Sequence, residues 1–477
     1  MLAELNALAP DRVWDVAVVG SGPAGMTVAV ALARLGRDVL LLEGGERHYS
    51  DESQAQYEGE VVGDHYFALD GCRVRCLGGT SVHWSGWTRP FEAEDFDRRD
   101  YASHAYWPIS KTDLDPYRRT AAKLLNVIDD YPHRDIGDGL RHMRFQISRE
   151  PTRFAEAYLD ELTASRRITL AMNSNLVGVE LAEGRVTGFQ MADYKGNKRL
   201  IRARHYVMAC GGIENSRLLL HFNAQSGGRL VRQPATLGRY WMEHPHFDIG
   251  SGFIKDVPVQ SPSNEAYYSF TPAELRRRGL LNCGLRVRQF EPDGWRKQLK
   301  NLACVAPSLA NSILESLDKK GCNYALIRAA WENAPRADNR IELDPNKVDG
   351  MGIPRTRLFW RKSDADHANM RELALAYGEH LVRTGQGRIQ LAPWVLGKGD
   401  YPTDDEIAGY HHIGGTRMSD RPETGIVDRD LKVFGLDNLY MAGSSVFPTG
   451  GHVNPTLTIV QLSMRLADHI NRRALKV

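Results

Sequence analysis

The sequence predicts an α/β protein of two domains. One is assembled from separated stretches around a parallel sheet. The other is a mostly antiparallel sheet with helices. Three observations carry this. A glycine-rich strand–helix–strand unit, "VVGSGPAGMTVAVALARLGRDVLLLE", opens the chain. A strand-to-helix passage, "NLYMAGSSVFPTGGHVNPTLTIVQL", closes it. Between them, residues 236–404 hold strand-like runs such as "FIKDV", "LNCGLRVRQF" and "NRIELDP", and one long amphipathic stretch, "DHANMRELALAYGEHLVRTG". At 477 residues the chain also exceeds what one small core organises.

In the opening unit, residues 16–19 form a β-branched strand, residues 23–35 an Ala/Leu-rich helix stopped by Gly36, and residues 38–43 a second strand. Gly20, Gly22 and Gly25 make the G-x-G-x-x-G turn of a Rossmann-type unit. The first glycine permits the tight turn, the second lets backbone approach a pyrophosphate, and the third packs helix on strand. Glu43 closes the second strand, where a carboxylate accepts from a ribose diol. The unit starts the fold and no second such turn follows for a nicotinamide. A tightly held FAD therefore fits better than exchangeable NAD.

A second turn of close approach, Gly78-Gly79-Thr80, leads into His83, Trp84 and Trp87. These rings read either as packing or as a wall that brings His83 to the dimethylbenzene edge of a flavin. Near the C-terminus, a buried strand ends at Gly443, and a helix is expected to start with Asn454 as N-cap and Pro455 in the first position. The positive end of that helix, aimed at a flavin pyrimidine, would stabilise the reduced anion and carry Asn454 and His452 to the ring. Cap and active site are compatible roles for Asn454.

Composition excludes other classes. A net charge of +2 gives no field for nucleic acid, and Arg276-Arg277-Arg278 reads as a solvated face. The 6 cysteines include no Cys-x-x-Cys pair, so reduced structural thiols are expected, with a redox role for Cys72 and Cys76 the weaker alternative. The start of the chain lacks a secretory pattern and no apolar run is long enough to span a membrane, so the cytoplasm is the default location. Histidines 244, 246, 411, 412 and 452 lack the cysteine or carboxylate spacing of a metal site.

Taken together, the first glycine turn, "GGTSVHW", and the pair "HHIGGTRM" and "NPTLT" resemble the GMC (glucose–methanol–choline) oxidoreductase family, in the branch of pyranose oxidases and bacterial glycoside 3-oxidases. The likeness covers about residues 13–100, parts of 150–225, and 405–474. It implies a discontinuous FAD domain (1–100, 150–235 and 405–477), a helical linker (101–149) and a substrate-binding domain (236–404). It also implies that backbone near Val177 holds adenine, and that Thr456 joins Gly443, Asn454 and Pro455 at the flavin. His83, in Ser81-Val82-His83-Trp84, becomes a candidate for a covalent histidyl–flavin bond, although Val82 departs from the threonine of that pattern. His412 matches the catalytic histidine of H-x-x-G-T. It would take the hydroxyl proton while hydride leaves for flavin N5, with Asn454 holding the same oxygen and His452 the rival base. His411 would point away, because side chains alternate along an extended segment.

The implied reaction is oxidation of a sugar or glycoside at a ring secondary alcohol, C2 or C3, with oxygen or a quinone-type mediator as electron acceptor. Alternatives are an aliphatic, aromatic or sterol alcohol, a flavin-containing lyase, or a non-catalytic FAD-binding subunit. A homo-oligomer is left open. "HPHFD", 244–248, reads as satisfied histidines or as part of the site, and 257–268 as a mobile loop and candidate lid.

Overall fold

The computed structural model describes the chain except residues 100–105, 261–262, 291–322, 400–401, 403–405, 408 and 475–477. Its nucleotide side is an 8-stranded sheet. Val13–Val19, Val39–Leu42, Ile168–Ala171, Lys198–Met208 and Leu439–Met441 run parallel, with Leu2–Ala3 extending one edge. Parallel strands covered on both faces need continuous apolar runs, and Leu40, Leu41 and Leu42 are fully buried, as are Ala17 and Val18. The helices Pro23–Arg34 and Thr456–Ala474 pack on each other over this sheet. Asn175–Ala182 and Arg185–Ala192 complete it antiparallel.

The second body is a 7-stranded antiparallel sheet in the order Gly387–Leu391, His246–Ile254, Asn323–Trp331, Cys283–Phe290, Glu265–Phe270, Leu140–Met143, His133–Gly137. Its residues alternate between two faces. Phe247, Ile249, Val287, Ile327 and Ala329 face a core closed by Met370, Leu373, Tyr377 and Leu381 of the Asp364–Arg383 helix. The intervening His246, Tyr267, Gly284, Arg286, Arg328 and Ala330 face a cavity instead. A 3-stranded sheet ties the bodies together: Gly59–Gly63, from the nucleotide half, runs parallel to Pro354–Trp360, which pairs with Arg340–Val348.

Two expectations fail. Residues 101–149 are not a helical linker. After the Lys111–Leu124 helix the chain makes a hairpin that forms the edge of the 7-stranded sheet. Asp138 (φ 56°) and Gly139 (φ 71°) turn it, both left-handed as a two-residue type I′ hairpin requires. The second half of 257–268 is not a loop either. Glu265–Phe270 is a fully buried strand, because it lies inside that sheet between two neighbours. The lid expected there falls partly on residues 261–262, outside the described residues, as do Cys304 and Cys322. The basic run lies in the Pro272–Arg278 helix, where Arg277 and Arg278 both bond Glu274.

Candidate active site

A cavity of about 530 Å³ lies between the C-terminal ends of the parallel strands and the open face of the antiparallel sheet. Its nucleotide end is made chiefly of backbone. Gly20 has φ +98°, and a Cβ there would stand 2.4 Å from the Ala209 carbonyl oxygen. A Cβ on Gly25 would lie 1.9 Å from the Gly20 carbonyl oxygen, so Gly25 seals the helix onto the turn and does not itself line the cavity. Gly22 faces open space, and no side chain caps the helix that follows. Its first N–H groups are thus left to an anion.

Ser21 joins the two glycine turns. Its Oγ donates to Glu43 Oε2 (2.6 Å) and accepts from the Gly78 N–H (3.1 Å). Gly45 N–H donates to the other Glu43 oxygen at 2.8 Å. Gly78 therefore acts through Ser21, while Gly79 and Thr80 line the cavity. Nothing in the motif marks Ser21, because its task is long-range. Arg75, also on the wall, is held by Asn175 Oδ1 (2.8 Å) and the Tyr194 hydroxyl (2.9 Å), adding a fixed positive charge. Val177 is not on the wall; Ser174, Asn175 and Leu176 are. The strand register skips Val177, since a bulge falls between Leu176 and Gly178. His83 is exposed and sits on the wall with Trp84, whose indole N–H bonds the Thr152 carbonyl. An uncapped helix N-terminus, a cradle that a side chain would fill and a fixed cation fit the diphosphate of a dinucleotide, and the carboxylate fits its ribose.

Histidines make the other end. Glu243 is buried, and its Oε1 accepts from the backbone N–H groups of His244 and His411, both at 2.7 Å. The Tyr66 hydroxyl donates to Oε2 at 2.5 Å. Burial pushes this carboxyl up to about 8, against the pull of those donors. The strut holds two distant segments together, and Met242 and Ile413 bridge beside it. His411 Nδ1 then lies 2.8 Å from His244 Nδ1, and His411 Nε2 lies 3.2 Å from Asn454 Nδ2.

This corrects the expected pairing. His411, not His412, meets Asn454. The two rings do diverge, but Tyr410 is left-handed (φ 52°), so the segment is not the regular extended stretch that alternation assumes. His412 lines the cavity from another side, stacked on Trp241 (6.1 Å) and edge-on to Tyr66 (6.2 Å), its carbonyl accepting from Ser444 Oγ. Its Nε2 has no hydrogen-bond partner among the described residues. His452 also lines the cavity with neither ring nitrogen partnered among those residues. Asn454 is not the cap it was expected to be. The helix begins at Thr456, Ile459 N–H bonds the Pro455 carbonyl, and the Asn454 amide turns to His411. Gly443, Pro455 and Thr456 lie on the wall.

Burial lowers every histidine here: His411 well below its ordinary range, His412, His246 and His452 to about 3, His244 to about 4. All are neutral at pH 7, the state a proton acceptor needs. His246 Nδ1 donates to the His244 carbonyl at 2.6 Å, which leaves its Nε2 as an acceptor. Of "HPHF", His246 lines the cavity, while Phe247 faces the core behind it. The Cys72 and Cys76 thiols are free and buried, and burial pushes them up to about 12 and about 11, where they stay protonated. Among the described residues, no group of 3 or more side chains gathers as metal ligands.

A family model described as GMC oxidoreductase matches residues 335–463, and one described as pyridine nucleotide-disulphide oxidoreductase matches 14–254. The chain is 24% identical to 2-methyl-1,2-propanediol dehydrogenase of Mycolicibacterium austroafricanum, covering 96% of this chain and 95% of that one. It is 24% identical to C-glycoside 3-oxidase of Microbacterium trichothecenolyticum, covering 96% of each. It is 25% identical to 6'''-hydroxyparomomycin C oxidase of Streptomyces lividus, covering 96% and 92%. Among solved structures, pyridoxine 4-oxidase from Mesorbium loti superposes with a TM-score of 0.59 at 15% identity, over 96% of this chain and 99% of that one. Formate oxidase from Aspergillus oryzae does so with a TM-score of 0.57 at 17% identity, over 98% and 100%. No helix among the described residues is long and apolar enough to cross a membrane.

Proposed function

The chain belongs to the GMC oxidoreductase family and is an FAD-dependent alcohol oxidoreductase, and on that basis we propose that it oxidises a ring secondary alcohol of a sugar or glycoside, at C2 or C3, to the ketone. The observation that carries the reading is His411 Nε2 meeting Asn454 Nδ2 on the cavity wall at the start of the last helix. FAD, when bound, accepts the hydride. His411, neutral and buried, takes the hydroxyl proton, and the Asn454 amide holds the same oxygen in line. This moves the base from His412 to its neighbour. His246 and His452 accept from further hydroxyls. Trp87 and Tyr267, on the same wall, offer flat faces to a pyranose, and Arg286 and Arg328 add donors. A polyol uses that many polar groups; a simple aliphatic alcohol leaves most of them unpaired. One of the similar proteins is a C-glycoside 3-oxidase, which supports the sugar reading. The acceptor of the electrons is oxygen or a quinone-type mediator, and a His83–flavin bond belongs to the same reading.

The test is anaerobic flavin absorbance on mixing with sugars, glycosides and simple diols, followed by air. Bleaching by sugars or glycosides ahead of diols is expected; fast recovery in air marks an oxidase. Bleaching by diols alone overturns the substrate. Acid precipitation tests the bond: a yellow pellet supports the His83 link and a colourless one excludes it.

A further inference from the structure

We propose that His244 is a positioning residue that fixes the tautomer of His411 and so leaves Nε2, on the side of Asn454, as the acceptor nitrogen of that imidazole. The inference rests on His411 being the base, as proposed above.

Three contacts carry it. His244 Nε2 lies 3.1 Å from the Gly450 carbonyl oxygen. A carbonyl only accepts, so His244 Nε2 holds the proton, and in a neutral ring its Nδ1 is then a lone pair. That lone pair faces His411 Nδ1 at 2.8 Å, so the His411 proton sits on Nδ1. His411 Nε2 is left unprotonated, 3.2 Å from Asn454 Nδ2, whose N–H donates to it. Every hydrogen in the chain from Asn454 to Gly450 has one place to go. The opposite tautomer would set an N–H of His411 against an amide N–H of Asn454, and two bare nitrogens against each other.

The ring neutrality that the chain needs is supplied by burial. His244 is fully buried and His411 half-buried, and both are held below the ordinary histidine range. The Glu243 strut, bonded to both backbones, keeps the two rings in register. When the alcohol displaces the Asn454 N–H from His411 Nε2 and that nitrogen takes its proton, the Nδ1–H already donates to His244, so the new imidazolium forms with a hydrogen bond in place and no ring has to turn. An orienting partner on the far nitrogen is how a histidine base is kept in its working tautomer.

The experiment is nitrogen-15 NMR of the holoenzyme labelled at histidine, with His411→Gln and His244→Asn used for assignment. The wild type should show His411 protonated at Nδ1 and bare at Nε2 at neutral pH. His244→Leu removes the acceptor, so the His411 proton should leave Nδ1, in part or fully. His244→Asn restores an acceptor oxygen at the Nδ1 position and should bring it back. Flavin reduction by the alcohol that bleaches fastest should fall on the order of a hundredfold in His244→Leu, in the rate and not in half-saturation, and recover to within about tenfold in His244→Asn. A wild-type His411 carrying its proton on Nε2 overturns the proposal, and needs no variant to fold. So does an Nδ1 proton that persists in folded His244→Leu. If no alcohol bleaches the flavin, the proposed function fails while the tautomer result still stands.

Discussion

The two walls of the cavity are built on different principles. The parallel sheet contributes strand ends, helix starts and glycine backbone: Gly20 and Gly25 work because they lack a side chain. The antiparallel sheet contributes one face of alternating side chains, His246, Tyr267, Arg286 and Arg328, with its other face sealed by the Asp364–Arg383 helix. The first wall tolerates almost nothing and serves a ligand of fixed shape. The second can change every other residue without touching its own core. In the proposed function a cofactor end and a substrate end are thereby separated in one cavity, with the histidine cluster where they meet.

Substitutions on the two walls should therefore have different signatures. The largest effect is expected from Gly20→Val. It adds a side chain where a Cβ already meets the Ala209 carbonyl at 2.4 Å, in left-handed backbone. It should strip the flavin, read as the ratio of flavin to protein absorbance; full occupancy would break the contrast. Arg286→Leu, on the other wall, removes a cation that faces the Trp87 ring at 4.7 Å. Flavin content should be unchanged and half-saturation by a sugar should rise by roughly tenfold, the loss of one or two hydrogen bonds. A lost flavin, or an unmoved half-saturation, would contradict the assignment of that wall.

A smaller effect is expected in stability. Burial, with Arg141 adding to it, holds His452 at about 3 in the folded protein, against 6.5 unfolded. Between those values the unfolded chain binds a proton that the folded chain does not. Wild type should therefore lose stability relative to His452→Gln as pH falls through 6.5 toward 3, by at most ~1.4 kcal/mol per pH unit. Denaturant midpoints of the two proteins, measured above and below 6.5, give the difference. A difference that does not move with pH would mean that His452 is not held neutral.

What was legible in the sequence follows the same division. The nucleotide wall could be read because tight turns demand glycine at fixed spacing, and the strand, helix and acid around them are local. The antiparallel strand "LNCGLRVRQF" could be read as a strand, but which of its residues face a ligand depends on the Asp364–Arg383 helix far away in the chain. The hairpin at Asp138-Gly139 announces itself by its turn pair, yet its strands are too short and polar to stand out. The motif located the candidate segment and ranked His412 over His411. The proposed reversal rests on Glu243, which clamps His411 to His244 across the fold, and on one left-handed residue, Tyr410. Neither leaves a local trace. Asn454 looked like a cap because its residue type is a good one, but the helix begins two residues later, at Thr456, and the Asn454 amide nitrogen meets His411.

The central claim is that His411, and not His412, faces the alcohol with Asn454. The measurement that tests it most directly is the rate of anaerobic flavin reduction in His411→Ala and His412→Ala, each shown to retain flavin. The geometry predicts a fall on the order of a hundredfold or more for His411→Ala and less than about tenfold for His412→Ala. The reverse order would return the base to His412 and leave the His411–Asn454 contact a structural one.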